Sequence, residues 1–143
     1  MPGRSVFSSP QMPVILPPGS PSRAWLAVAA WMALTVILST FPIDGVQPSV
    51  PDADKLGHAT VYGVLAFLSA RAWRRHGSAQ AATIERTMAM ALAFGALMEL
   101  MQGYVGRDAS LADWVADGVG ALVGIGFWKA WMIVANSTPE GWG

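Results

Sequence analysis

"AWLAVAAWMALTVILSTF", residues 24–41, is an uncharged run of 18 residues, close to the roughly 20 that a helix needs to cross the hydrocarbon of a bilayer. Its reading decides the class of the whole chain. The run follows Arg23, so a secretory leader has to be weighed, but it is long for the apolar part of a leader and no clear small-residue cleavage site follows. We read it as a retained first span.

Composition points the same way. Of 143 residues, 53% are apolar and 13% charged, where an ordinary soluble domain carries roughly 25% charged residues. Nine basic and nine acidic residues cancel, so no net field calls for a nucleic-acid partner. The absence of cysteine excludes disulfides, thiolate nucleophiles and cysteine-ligated metals. Seven Trp residues suit a protein with interfacial anchors.

Outward from the first span, residues 1–23 carry six prolines with scattered Ser and Gly. That composition keeps a backbone extended and closes no core, so the segment reads as a disordered cytoplasmic tail. On the other side, "PIDGVQPSVPDAD" (42–54) breaks the helix with three prolines and a glycine. Further apolar helices are expected at about 56–73, 84–104 and 111–134, with "GSAQAATIER" (77–86) as a turn and 136–143 as a short tail. The expected fold is an all-α, integral membrane four-helix bundle with short loops, occupying residues 24–135.

Four spans put both termini on one side. That side collects Arg4, Arg23, Arg71, Arg74, Arg75, Arg86 and Lys129, and the positive-inside rule makes it cytoplasmic. The other side keeps Lys55 and Arg107 with seven acids: Asp44, Asp52, Asp54, Glu99, Asp108, Asp113 and Asp117. The expected location is a bacterial cytoplasmic membrane, crossed several times, with a polar cluster on the outer face.

Helical spacing sharpens that cluster. Asp54, His58 and Tyr62 recur every four residues and share one stripe if the second helix reaches back to Asp54. Glu99 and Gln102 are three apart, and Asp113 and Asp117 four apart. Ser110 with Asp113 also fits the S-x-x-D pattern of a helix start, a structural use for both. Gly120 and Gly124 form a G-x-x-x-G whose plain meaning is close helix packing.

The stretches "DKLGHATVYGVLAF" (54–67) and "GALMELMQGYVGRDASLADWVADGVGALVG" (95–124) resemble the VanZ-like family of small bacterial membrane proteins. The shared pattern is Asp-Lys-x-x-His with a following Tyr, then Glu-x-x-Gln, an Arg, Ser-x-x-Asp and a glycine-rich last span. Two positions depart from it: Ala59 stands where an aromatic residue is usual, and Asp117 where an Asn is usual. The resemblance implies a membrane protein of the cell envelope, in a family named after a protein associated with low-level resistance to the glycopeptide teicoplanin.

Chemistry must be argued from the residues. An Asp at the bilayer centre costs about 2.5 to 3.5 kcal/mol on insertion scales and less near the interface, so Glu99, one to two turns inside its helix end, needs compensation. Protonation, or pairing with His58, Lys55 or Arg107, would supply it. His58 can exchange protons near neutral pH, and Arg107 can hold a phosphate or carboxylate by a bidentate contact. We therefore expect His58 as general base or nucleophile, oriented by Asp113 or Glu99. Lys55, Tyr62, Gln102, Arg107, Ser110 and Asp117 would line the substrate site. The expected partner is a membrane lipid or lipid-linked head group, and no cofactor is called for. A divalent cation on Asp113, Asp117 and Glu99 is conceivable, although the spacing alone defines no ligand set. In the plainer reading these groups only bind helix to helix, at about 0.6 kcal/mol per contact. A proton or solute conductor is a third class, disfavoured because the acids gather at one face. No P-loop, dinucleotide fingerprint or nucleophile elbow is present.

Overall fold

The computed structural model describes residues 21–40, 53–104 and 110–137. Four helices account for nearly all of them: α1 (Pro21–Thr40), α2 (Ala53–Arg75), α3 (Gln80–Tyr104) and α4 (Leu111–Ser137), and there is no strand among the described residues.

Each helix is longer than the apolar run that announces it. α1 begins at Pro21, inside the stretch read as tail, where proline's fixed φ suits a first helical turn. α2 starts at Ala53 and so takes in Asp54, whose charge suits a helix N-terminus. α3 starts at Gln80, within the segment expected as a turn, and α4 runs on to Ser137. There the Ser137 hydroxyl donates to the Ile133 and Val134 carbonyls at 2.8 and 3.0 Å.

The turn between α2 and α3 is set by Gly77, whose φ of 80° is open to glycine at little cost. The Ser78 amide bonds the Trp73 carbonyl at 3.2 Å and the Gly77 amide bonds that of Arg74 at 3.0 Å, closing α2 with a Schellman motif. Arg74 then donates to the Ser78 carbonyl and Arg86 to the Ser78 hydroxyl, which ties the two helix ends together.

Contacts between helices fix their directions. His58 meets Asp117, and Arg71 stacks over Trp131, so α2 and α4 run parallel. Trp25 packs edge-on against Trp73, and Arg86 lies over the Trp73 ring, so α1 and α3 run the other way. The most extensive packing is between α2 and α4, with α1 on α2 and α3 against both.

Glycine makes that central pair possible. A Cβ on Gly120 would overlap the Ala59 carbonyl, and one on Gly124 would overlap the Gly63 carbonyl. The G-x-x-x-G pair is therefore used inside the bundle, in close backbone contact with α2. Ala59 lies in this tight approach.

The core holds small and polar groups: Ala66, Ala70, Ala91 and Ala121 are fully enclosed, with Ser69, Thr83 and Thr87 beside them. Ser69 and Thr83 return their hydroxyl protons to carbonyls four residues back, at 2.7 and 2.9 Å. Leu65, Ile125 and Trp128 are buried with them, while many other large apolar side chains face outward, among them Leu26, Leu38, Leu100, Phe127 and Ile133. α1, α3 and α4 are long and apolar enough to cross a membrane. α2, expected as a fourth such span, falls short because it carries Asp54, Lys55, His58, Arg71, Arg74 and Arg75. It also touches all three other helices, which leaves much of it facing protein.

Candidate functional site

The N-terminal turns of α2 and α4 and the C-terminal turns of α3 meet at one end of the bundle, and the candidate residues lie there. The His58 ring on α2 places Nδ1 2.9 Å from Asp117 Oδ1 on α4. Asp117 is 1% exposed and His58 22% exposed in their side chains, so the pair has a closed side and an open one. A carboxylate on Nδ1 fixes the ring and its tautomer and leaves Nε2 with the lone pair. The acid in hydrogen-bond contact with His58 is Asp117, where Asp113 or Glu99 was expected to orient the ring.

Glu99 takes a different task. Its Oε2 accepts the Ser110 backbone N–H at 2.7 Å, capping the start of α4 from α3. In a capping box that amide would go to Asp113. Only the other half of the box is present, with the Ser110 hydroxyl 3.4 Å from the Asp113 amide. One ring nitrogen of His58 and one carboxylate oxygen each from Glu99 and Asp113 all lie within 4.8 Å of one another.

Several buried polar atoms here have no hydrogen-bond partner in the protein: Glu99 Oε1, Asp117 Oδ2 and the Tyr62 hydroxyl. Such orphans are uncommon in protein interiors and expensive, about 1–3 kcal/mol each. Two cavities flank them. One, of about 130 Å³, is lined by His58, Tyr62 and Gln102 with Thr35, Ser39 and Asp54. The other, of about 470 Å³, lies between α3 and α4 and is lined by Glu99, Ser110 and Trp114.

His58, Tyr62, Glu99, Gln102, Ser110, Asp113 and Asp117 therefore occupy one end of the bundle. Lys55 lies at the same end but on another face, on an apolar groove between α2 and α4 with Leu111 and Val119. It lies 3.9 Å from Asp54. Arg107, with Asp44, Asp52 and Asp108, lies outside the described residues.

Two residues that the motif reading passed over shape the site. A Cβ on Gly95 would stand 2.7 Å from Asp117 Oδ2 and 3.3 Å from the Trp114 ring, so glycine gives the carboxylate its space. An isolated glycine inside an apolar helix is the available sequence signal, since it costs about 1 kcal/mol relative to alanine. Trp114 donates its indole N–H to the Leu92 carbonyl at 3.1 Å, holding the start of α4 against α3. On the far side, the Trp31 indole bonds the Val61 carbonyl at 3.0 Å and pins α1 to α2.

Comparison with protein-family models, with curated proteins and with solved structures finds no match to this chain.

Proposed function

We propose that this chain is a VanZ-like integral protein of the bacterial cytoplasmic membrane. In this reading its polar cluster, at the outer face, modifies a lipid or lipid-linked head group and so alters envelope properties, glycopeptide susceptibility among them. Support for the membrane comes from three helices long and apolar enough to cross it and from the many Leu, Ile, Val and Phe side chains exposed on the outside of the bundle. Small and polar groups share the interior with Leu65, Ile125 and Trp128. Of the described cations, Arg23, Arg71, Arg74, Arg75, Arg86 and Lys129 belong to the helix halves opposite the cluster and Lys55 to the cluster end, the bias that a cytoplasmic side requires. Trp25, Trp73 and Trp131 lie among them, in the manner of an interfacial belt. In this reading α2 crosses with His58, Tyr62 and Ser69 turned toward its neighbours and Asp54 and Lys55 at its outer end.

The observation that carries the chemical reading is the set of orphaned buried atoms on Glu99, Asp117 and Tyr62. Orphaned atoms also occur on Arg71, Trp73, Thr87 and Trp128; the cluster differs in bringing two unpartnered carboxylate oxygens and a hydroxyl together. Here one oxygen of each acid is engaged, on His58 Nδ1 and the Ser110 amide; the second oxygen of Glu99 is left to face a ligand beside the α3–α4 cavity, and that of Asp117 is packed against Gly95. In the proposed site His58 serves as base or nucleophile, Asp117 orients it, and Arg107 holds the phosphate. The test is lipid mass spectrometry on cells expressing wild type or His58→Ala at equal membrane levels. A head-group species that changes with wild type and stays at the empty-vector level with the variant is the expected result. Identical profiles from all three, with both proteins inserted, would refute the reading.

A further inference from the structure

We propose that His58, Glu99 and Asp113 hold a divalent transition-metal cation, with Asp117 orienting His58 from behind. The first support is geometric. Three different side chains from three different helices bring one donor atom each to within 4.8 Å of one another. Ligands coordinated to one ion at about 2.0–2.2 Å stand within roughly that spacing of each other.

The second support is independent of the clustering. Glu99 is 9% exposed, and its Oε1 has no partner in the protein. Its other oxygen is committed to the Ser110 amide, so Oε1 is the atom left for a ligand. The third concerns tautomer: a metal-bound histidine usually gives its second ring N–H to a carboxylate. His58 Nδ1 is 2.9 Å from Asp117 Oδ1, which leaves Nε2 to coordinate.

Charge gives the cation a physical role. Three carboxylates, Glu99, Asp113 and Asp117, gather around one imidazole with two of them almost fully enclosed. Burying like charges together is costly unless a positive charge joins them. One nitrogen and two oxygen donors suit Zn²⁺ or Mn²⁺. Three protein ligands would leave a coordination position open, as in catalytic metal sites. The adjoining cavity of about 470 Å³ on the Glu99 side gives a head group room to reach it. The cation site stands on this geometry alone. Its service in head-group chemistry rests on the function proposed above, with His58 then acting as a ligand in place of a base or nucleophile.

The test uses the full chain, purified in detergent, stripped with chelator and titrated with Zn²⁺ or Mn²⁺. Bound metal is counted by mass spectrometry and affinity measured by calorimetry. Wild type is expected to bind a single cation of either kind, with affinity about 100-fold weaker in His58→Ala, Glu99→Gln and Asp113→Asn. Asp117→Asn is expected to weaken binding by about 10–100-fold, the usual effect of losing a group that orients a ligand. Glu85→Gln, exposed at the opposite end of α3, is expected to bind as wild type does. Wild-type protein that is helical and monodisperse yet takes up neither ion overturns the proposal. Unchanged binding in a folded His58→Ala/Glu99→Gln double variant overturns it equally. Metal binding with an unchanged lipid profile would instead sustain the site and remove the proposed function.

Discussion

Gly95 on α3 faces Asp117 on α4 so closely that a Cβ at position 95 would stand 2.7 Å from the carboxylate's Oδ2. The same carboxylate holds His58 through its other oxygen. A methyl group on α3 therefore disturbs a contact between α2 and α4. We expect Gly95→Ala to cost about 1–3 kcal/mol, the range for overpacking a filled core. Unfolding in micelles measures this. Gly95→Ala/Asp117→Ala should cost less than the sum of the two single changes, because the second removes the atom that the first strikes. Strict additivity would show that the two positions do not touch.

Asp117→Ala alone leaves the His58 ring without its buried acceptor, at an expected cost of about 1–3 kcal/mol. Asp117→Asn keeps an oxygen in place and should cost less than the alanine. Thermal unfolding of both variants decides the matter: an asparagine as damaging as alanine would contradict the hydrogen bond.

The contact between α2 and α4 predicts a sharp contrast among glycines. Gly124→Ala drives a methyl group into the Gly63 carbonyl, and backbone cannot move aside cheaply. We expect destabilisation of about 2–3 kcal/mol. Gly126→Ala meets nothing within 4 Å and should be neutral or stabilising, by up to about 1 kcal/mol from helix propensity. Denaturant midpoints in one detergent would compare the two directly, and equal effects would contradict the packing.

Sidedness follows from the helix directions. Tyr104, 93% exposed at the end of α3 nearest the cluster, should be reachable from outside intact cells when changed to Cys. Gln80→Cys, at the opposite end of α3, should label only after the membrane is opened. The chain contains no cysteine of its own to confuse the readout. Labelling of Gln80→Cys from outside would invert the proposed orientation. Ser78 is a poor site for this purpose, since it is buried and bonded by Arg74 and Arg86.

The helices could be read from the sequence because long apolar runs have few alternatives to helix. Their ends could not, because polar residues such as Asp54 and Gln80 join a helix without extending its apolar run. Gly120 and Gly124 announced a close contact and did not say with what. The partner surface on α2, Ala59 and Gly63, is visible only once the two helices are seen to run parallel. The stripes containing His58, Glu99 and Asp117 were legible from spacings of three and four. The pairing within them was not, since it depends on the rotation and offset of each helix, which the glycine contacts set. Thus His58 meets Asp117 where Asp113 or Glu99 was expected, and Glu99 caps α4 in place of Asp113. Gly95 carries no chemistry of its own and entered no motif.

The most direct test of chemistry at the cluster is Glu99→Gln, because the amide oxygen can still accept the Ser110 N–H and keep α4 capped. Lipid profiles and unfolding midpoints would be measured together for wild type, this variant and empty vector. We predict an unfolding midpoint close to that of wild type, with the wild-type change in head-group species lost. A stable variant that still produces the full change, or a wild type indistinguishable from empty vector, would contradict the claim that the cluster acts on lipid.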